Sequence, residues 1–377
     1  MFYIWHFTVE KFNIQKYFAD MIIGILNSAD DARTAMVPET ASKLVKKEYR
    51  LLVEKGAGYQ SFFPDEMYVE AGAEVKDRSE VLQTSDILIS IDPPSLDELK
   101  QLAPKTSIIS LFNPLVDTAL ADEIRQLDLL AFSMDSVPRT TIAQSMDVLS
   151  SMASMAGYKA VLVAANYLPG YLPMLMTAAG TIPPASVLVL GAGVAGLQAI
   201  ATAKRLGAIV EAFDVRAAVK EEVESLGAKF IEVEGASEDK DAGGYAVEQT
   251  EAYKELQREL IHERASKANI IITTAQIPGR KAPLLIEERT VNAMKPGTVV
   301  IDLAAVSGGN CALTQNDQTI VHQGVTIVGD SNLPAKMPAH ASKLFGNNVM
   351  NFLLYVFKEG KDAVDMENEI VKGSRIA

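Results

Sequence analysis

The segment from Val187 to Asp214, VLVLGAGVAGLQAIATAKRLGAIVEAFD, constrains the chain more than any other, because it reads without interruption as strand, glycine turn, helix and second strand. Gly191, Gly193 and Gly196 stand in the order G-x-G-x-x-G, directly after the first strand and at the opening of the helix. In such a turn the first glycine permits the tight bend, the second lets a pyrophosphate approach the backbone, and the third lets helix pack on strand. Val194 and Ala195 complete the turn, where free N–H groups and the helix dipole favour phosphate. Asp214 ends the next strand at the interval, roughly 20 residues, where a carboxylate accepts hydrogen bonds from ribose hydroxyls and repels a 2′-phosphate. The pattern points to an NAD-type dinucleotide rather than NADP. Arg216 is the opposing signal, since an arginine there can hold that phosphate.

The rest of the chain is organised around this unit. From Met21, short β-rich runs (Ile22 to Leu26, Leu51 to Glu54, Ile87 to Ile91, Ser107 to Leu111, Leu129 to Ser133) alternate with stretches of helical spacing such as Pro38 to Lys47 and Ser95 to Leu102. No glycine phosphate loop occurs in this first series. A second series opens at Val187 and continues through Ala208 to Phe213, Lys229 to Val233, Asn269 to Thr273, Thr298 to Leu303 and Val325 to Val328. Between them Ile142 to Tyr167 reads as one long helix bridging two domains, and Ser342 to Lys358 as a helix returning to the first. The expected fold is α/β, two Rossmann-like domains with mainly parallel sheets joined by long interdomain helices. The expected boundaries are 1–20 for an extension, 21–140 plus 341–377 for the first domain, and 141–340 for the nucleotide domain with its bridging helix. Ligands commonly bind between domains, so the active cleft is expected there.

Composition removes several alternatives. At 377 residues the chain is long enough for two domains, and a net charge of −13 repels nucleic acid. Cys311 is the single cysteine, which fits a reducing compartment, and no His stands near it in sequence to activate it as a nucleophile. His6, His262, His322 and His340 lack metal-ligand spacing, so no metal is expected. Ala160 to Ala203 carries almost no charge but is cut by Asn166, Pro169, Pro173, Pro183 and Pro184, which argues against a membrane span. Residues 1–20 have Glu10, Lys11 and Lys16 where a signal peptide needs an apolar core, and translation is expected to start at Met21.

The flanking residues carry a resemblance. The stretch MTAAGTIPPASVLVLGAGVAGLQAIATAKRLGA, followed by DVRAAVKEEVESLGAKF, resembles the NAD(H)-binding domain I of proton-translocating NAD(P) transhydrogenases. MDSVPR, AQSMDVLSSMASMAGYKA, AGGYA, TTAQIPGRKAP, KPGTVVIDLA, GGNC and GDSNLP extend it over Met21 to Gly373. The resemblance implies that Arg139, Gln144, Asp147 and Ser150 reach the nicotinamide end, although Ser, Asp and Gln at a helix start are also ordinary capping residues. It further implies cofactor contacts from Val194, Asp214, Val215, Arg216, Gly244, Gln257 and Gln276, with Gly243, Gly244 and Tyr245 in a mobile loop. The chain departs from the pattern at Ile142, where a second basic residue is common, and at NSADDARTAMVP, which keeps Arg33 but not its surroundings.

A similar fold is shared by alanine dehydrogenases, which need an acid or base because imine chemistry moves protons. Members of that kind use a Lys in a strand-end V-K-E-P motif and a His after the next strand. Here the matching stretches are ISIDPP and ISLFNPL, Asp92 stands in place of the Lys, and no His occurs between residues 7 and 261. Transfer of a hydride from C4 to C4 of two nicotinamides needs no such group. The resemblance therefore implies a subunit that passes hydride from NADH to NADP⁺ on a partner domain, coupled to proton translocation by a membrane-spanning subunit. It also implies a homodimer, peripheral on the cytoplasmic face of the inner membrane through its partners. The competing readings are an alanine dehydrogenase-like oxidoreductase and a non-catalytic NAD-binding module.

Overall fold

The computed structural model describes residues 21–233 and 250–377. The chain divides into two compact units, one of residues up to Val148 together with Pro338–Ala377, the other Leu149–Met337.

In the first unit β1 (Ile22–Ile25), β2 (Arg50–Glu54), β3 (Glu74–Lys76), β4 (Ile87–Ile89), β5 (Ser107–Ser110) and β6 (Leu130–Ser133) form one parallel sheet in the order β3-β2-β1-β4-β5-β6. Ile23 pairs with Leu51 on one side and with Ile87 on the other. The central strands are short β-branched runs buried on both faces, as expected where helices cover a parallel sheet. The order reverses between β1 and β4, the doubly wound switch point. β3 has no counterpart among the runs expected from sequence: Glu74, Val75 and Lys76 are only partly buried, so this edge strand has no apolar run to announce it.

The chain returns to this unit as the helix Pro338–Val356, where Phe345, Val349, Phe352 and Leu353 are fully buried. Phe132 of β6 meets Phe352 and Phe357 edge-on, at ring separations of 5.5 and 6.0 Å. The helix expected from Ile142 to Tyr167 is not continuous. A 3₁₀ turn, Ile142–Met146, precedes Asp147, whose extended ψ of 92° interrupts the helix before Val148–Tyr167 begins. Two amides fix that turn, because Asn348 Nδ2 and Asn351 Nδ2 both donate to the Ser145 carbonyl, at 2.9 and 3.0 Å.

The second unit opens with a two-stranded hairpin, β7 (Leu175–Thr177) and β8 (Gly180–Ile182). Its main sheet contains β9 (Ser186–Leu190), β10 (Ile209–Phe213), β11 (Lys229–Ile231), β12 (Ile270–Thr273), β13 (Val299–Asp302), β14 (Thr319–His322) and β15 (Val325–Val328). The order is β11-β10-β9-β12-β13-β15-β14, parallel except for β14. The hairpin and β14 also lie outside the expected runs, because their residues are largely exposed and show little apolar periodicity. The core on one face gathers Val187, Val189, Ile200, Val210, Ile270, Ile272, Val299 and Ile301.

Among the described residues one helix, Val148–Tyr167, is long and apolar enough to cross a membrane by length and composition. Ala160, Val161 and Ala164 nevertheless lie in the core of the second unit. At Gly157 the helix approaches the Ala195 carbonyl so closely that a Cβ would overlap it. Gly157 thus lets this helix lie directly on the first turn of Val194–Arg205.

Candidate functional site

The three glycines of the turn have three different surroundings. Gly191 has φ +100°, and a Cβ there would stand 2.5 Å from Thr274 Oγ1, so both conformation and space require glycine. Gly196 is buried with its Cα against the Gly191 carbonyl, which lets the helix Val194–Arg205 close on the end of β9. Gly193, the residue before that helix, is neither strained nor crowded: its φ is −79°, and a Cβ there would meet nothing within 4 Å. A glycine that its own fold does not require, at the N-terminus of a helix of 12 residues, fits close approach of a phosphate from outside. Val194 is half exposed and Ala195 partly buried beside it.

Asp214 follows β10 and reaches back to this turn. Its Oδ2 accepts from the Ala192 N–H at 2.7 Å and from Arg216 Nη2 at 2.8 Å. Its Oδ1 accepts from the Arg216 N–H and from Arg216 Nε, each at 2.9 Å. The carboxylate therefore ties the glycine turn to Arg216. Val215, between the paired residues, is partly buried.

Neighbouring loops are organised by residues outside the expected set. Thr274 Oγ1 donates to the Gly191 carbonyl at 3.0 Å, joining the end of β12 to the turn. Asp302, fully buried at the end of β13, accepts from Thr273 Oγ1, Thr314 Oγ1 and the N–H groups of Ala304, Asn310 and Cys311. Asn310 passes the order on: its Oδ1 accepts from the Ala275 N–H, and its Nδ2 donates to the carbonyls of Ala275 and Pro283. The loop between Ala275 and Pro283 carries Gln276, which is exposed and donates from Nε2 to the Leu303 carbonyl at 2.8 Å. The sequence signal for this hub was present in VVID followed by Gly-Gly-Asn-Cys. Gly308 and Gly309 have φ of +95° and +77°, the left-handed turn that brings Asn310 and Cys311 back to the carboxylate.

The remaining expected residues are dispersed. Gln257 is nearly buried on the helix Glu251–Ala265. Gly244 and Tyr245 lie outside the described residues. Arg139 and Gln144 are exposed in the first unit, Asp147 precedes the helix Val148–Tyr167, and Ser150 lies in its first turn. Cys311 is buried, and burial pushes its thiol up to about 11, which leaves it no nucleophilic thiolate at neutral pH.

In the first unit Arg33 is turned inward. Its Nε and Nη2 donate to Asp31 Oδ1 and Oδ2 at 2.9 and 2.6 Å, and both side chains are almost completely buried. Asp92 lies among like charges: burial, followed by the neighbouring Asp31, raises its carboxyl above the ordinary range. An arginine already held by a buried carboxylate is poorly placed to receive the carboxylate of an amino acid.

Fold and site define a doubly wound α/β protein with two sheets and a glycine turn of the dinucleotide-binding kind. The family model described as alanine dehydrogenase/PNT, N-terminal domain, matches residues 27–156, and that described as alanine dehydrogenase/PNT, C-terminal domain, matches residues 160–377. The chain is 44% identical over 352 residues to an NAD(P) transhydrogenase subunit alpha protein of Rhodospirillum rubrum, covering 91% of this chain and 92% of that protein. The crystal structure of transhydrogenase from Sinorhizobium meliloti superposes with a TM-score of 0.86 at 41% identity, covering 94% of this chain and 97% of that one. Alanine dehydrogenase of Bacillus subtilis is more distant, 25% identical over 350 residues, or 90% of this chain and 86% of that protein. The chain belongs to the alanine dehydrogenase/PNT family and, within it, to the NAD(P) transhydrogenase alpha subunits.

Proposed function

We propose that the chain is the NAD(H)-binding subunit of a proton-translocating NAD(P) transhydrogenase, passing hydride from NADH to NADP⁺ held on a partner domain. The observation that carries the reading is Gly193: of the three turn glycines it alone is not required by the fold, and it stands where a pyrophosphate meets a helix N-terminus.

The dihydronicotinamide supplies a hydride at C4 and the acceptor takes it at C4, so no substrate oxygen or nitrogen is protonated. This chain's role is then to bind, orient and exclude water. Gly191, Gly193, Val194, Ala195 and Gly196 cradle the pyrophosphate, and Asp214, Val215 and Arg216 meet the adenosine ribose. Gly244, Tyr245, Gln257 and Gln276 add further contacts. Arg139, Gln144, Asp147 and Ser150 hold the nicotinamide end. Arg33 locked on Asp31, with Asp92 where an alanine dehydrogenase has lysine, favours this reading over an amino-acid dehydrogenase. A non-catalytic NAD-binding module has no specific observation in its favour.

The proposal extends to the assembly. A membrane-spanning subunit and an NADP(H)-binding domain complete it, placing this chain at the cytoplasmic face of the inner membrane. A homodimer is supported by the β7–β8 hairpin, which exposes Met174, Met176 and Ile182, because a lone two-stranded hairpin is marginal in water.

The test mixes this protein with a purified NADP-binding domain and follows reduction of an NADP analogue by NADH. Turnover is expected, and Arg139→Ala is expected to slow it with the fold intact. No turnover when both nucleotides are shown to bind would overturn the proposal.

A further inference from the structure

A carboxylate offers about four lone-pair directions, and at Asp214 all four are used. The Ala192 N–H takes one, and the backbone N–H, Nε and Nη2 of Arg216 take the other three, at 2.7 to 2.9 Å. The carboxylate is almost fully buried and the arginine about three-quarters so. This is a bidentate, charge-assisted pair at the end of β10, joined directly to the glycine turn through Ala192.

A guanidinium fork fits a phosphate as well as it fits a carboxylate. We propose that Arg216 is a latent receptor for a 2′-phosphate, and that Asp214 sets the preference for NAD(H) over NADP(H) by holding Arg216 as well as by repelling phosphate. The inference rests on the reading of this turn as an NAD(H) site. From spacing alone Asp214 acts by itself, as acceptor of the ribose hydroxyls, with Arg216 a neighbour of opposite tendency. The geometry makes the two one device. A 2′-phosphate would have to break the bidentate pair and would leave an ionised carboxylate beside a dianion. A ribose 2′-hydroxyl needs only one of the lone pairs that Arg216 now uses.

Removing the charge at 214 should therefore do two things together. The amide of Asn at this position keeps one carbonyl oxygen for the Ala192 N–H and turns its NH₂ towards the guanidinium, donor against donor, so Arg216 leaves. Simple loss of repulsion would raise NADPH affinity whether or not Arg216 is present. Release of a receptor would raise it only when Arg216 is present.

The experiment measures NADH and NADPH dissociation constants for the full chain by nucleotide fluorescence. It uses the wild type, Asp214→Asn, Arg216→Ala and the double variant, with circular dichroism confirming the fold and Asp214→Ser as a second release variant. NADPH affinity is expected to rise at least tenfold in Asp214→Asn, to stay at the wild-type level in Arg216→Ala, and to lose its gain in the double variant. No gain in either release variant, or a gain that survives Arg216→Ala, overturns the lock. Wild-type protein that fails to bind NADH overturns the NAD(H) reading itself, an outcome separable from the other two.

Discussion

The carbonyl oxygen of Gly191 lies against the α-carbon of Gly196, so that a Cβ on Gly196 would overlap it, while a Cβ on Gly193 would meet nothing. The same substitution at these two positions should therefore fail in different ways. Gly196→Ala forces the helix Val194–Arg205 away from β9 and is expected to cost about 1–3 kcal/mol of stability. Gly193→Ala adds a methyl group to open space at an ordinary φ, so its melting temperature should stay close to wild type. Its NADH affinity should fall at least tenfold. Thermal unfolding and nucleotide titration on the two variants separate the effects, and wild-type NADH binding by Gly193→Ala would remove the pyrophosphate from this turn.

Asp302 holds five donors from three loops, and Asn310 carries that order to the loop bearing Gln276. Asp302→Asn replaces an acceptor by a donor among groups that all donate, leaving buried N–H groups unpaired at about 1–3 kcal/mol each. A total loss of roughly 3 kcal/mol or more in urea unfolding is expected. The loop should also loosen, and Arg280 and Lys281, both exposed, give trypsin a place to report it. Cleavage there should be faster in the variant than in wild type under conditions where both are folded. Equal cleavage rates would show that the hub does not govern the loop.

In the first unit Arg78 joins Glu98 and Glu54 at 2.6 and 2.8 Å, and Ser95 caps the short helix Leu96–Leu99 by sharing the same Glu98 carboxylate. The Arg78 guanidinium first, then the Ser95 N–H and hydroxyl, hold the Glu98 carboxyl down at about 2, against an ordinary 4.5. A carboxyl lowered by folding contributes stability that is complete above about 4.5 and is lost as pH falls towards 2. Since Glu98 and Arg78 are about a quarter and a third exposed, solvent screening limits the contribution to about 1 kcal/mol. Glu98→Gln should be less stable than wild type by that amount at pH 7, with the difference shrinking below pH 4.5. Urea unfolding at pH 7, 4 and 3 checks it; a difference independent of pH would assign the effect to packing.

How much could be read beforehand follows from which residues answer to local rules. The strand, turn and helix around Gly191 are dictated within 30 residues, since each glycine, the apolar strand and Asp214 act on near neighbours. The hub of Asp302 and Asn310 is visible in sequence only as a motif, because its partners Thr273, Ala275 and Pro283 belong to a different loop that only the fold brings near. The same is true of Asn348 and Asn351, some 200 positions from the Ser145 carbonyl they hold. The long helix reads as continuous through Asp147 because small apolar residues keep helical spacing on both sides. Tertiary hydrogen bonds at Ser145, which no periodicity records, accompany the break. The lock of Asp214 on Arg216 is legible as two residues of opposite tendency, but their pairing depends on side-chain geometry that spacing does not fix.

Cys311 stands in a Gly-Gly-Asn-Cys loop whose composition suits a reactive thiol, and the fold gives it the opposite character. It packs with Ile286, Val300 and Leu313 beneath β13, its N–H donates to Asp302, and burial raises its thiol to about 11. At pH 8 nearly all of it is therefore protonated and shielded, and only a thiolate attacks a disulfide reagent. Native protein should react with an aromatic disulfide at least a hundredfold more slowly than protein unfolded in urea, where the thiol regains a value near 8.5. Asp302→Asn should shorten that gap, since the N–H groups of Asn310 and Cys311 lose the acceptor that holds the loop closed. A rate unchanged between native and unfolded wild type would mean that the loop opens freely. The hub around Asp302 would then be too weak to position Gln276.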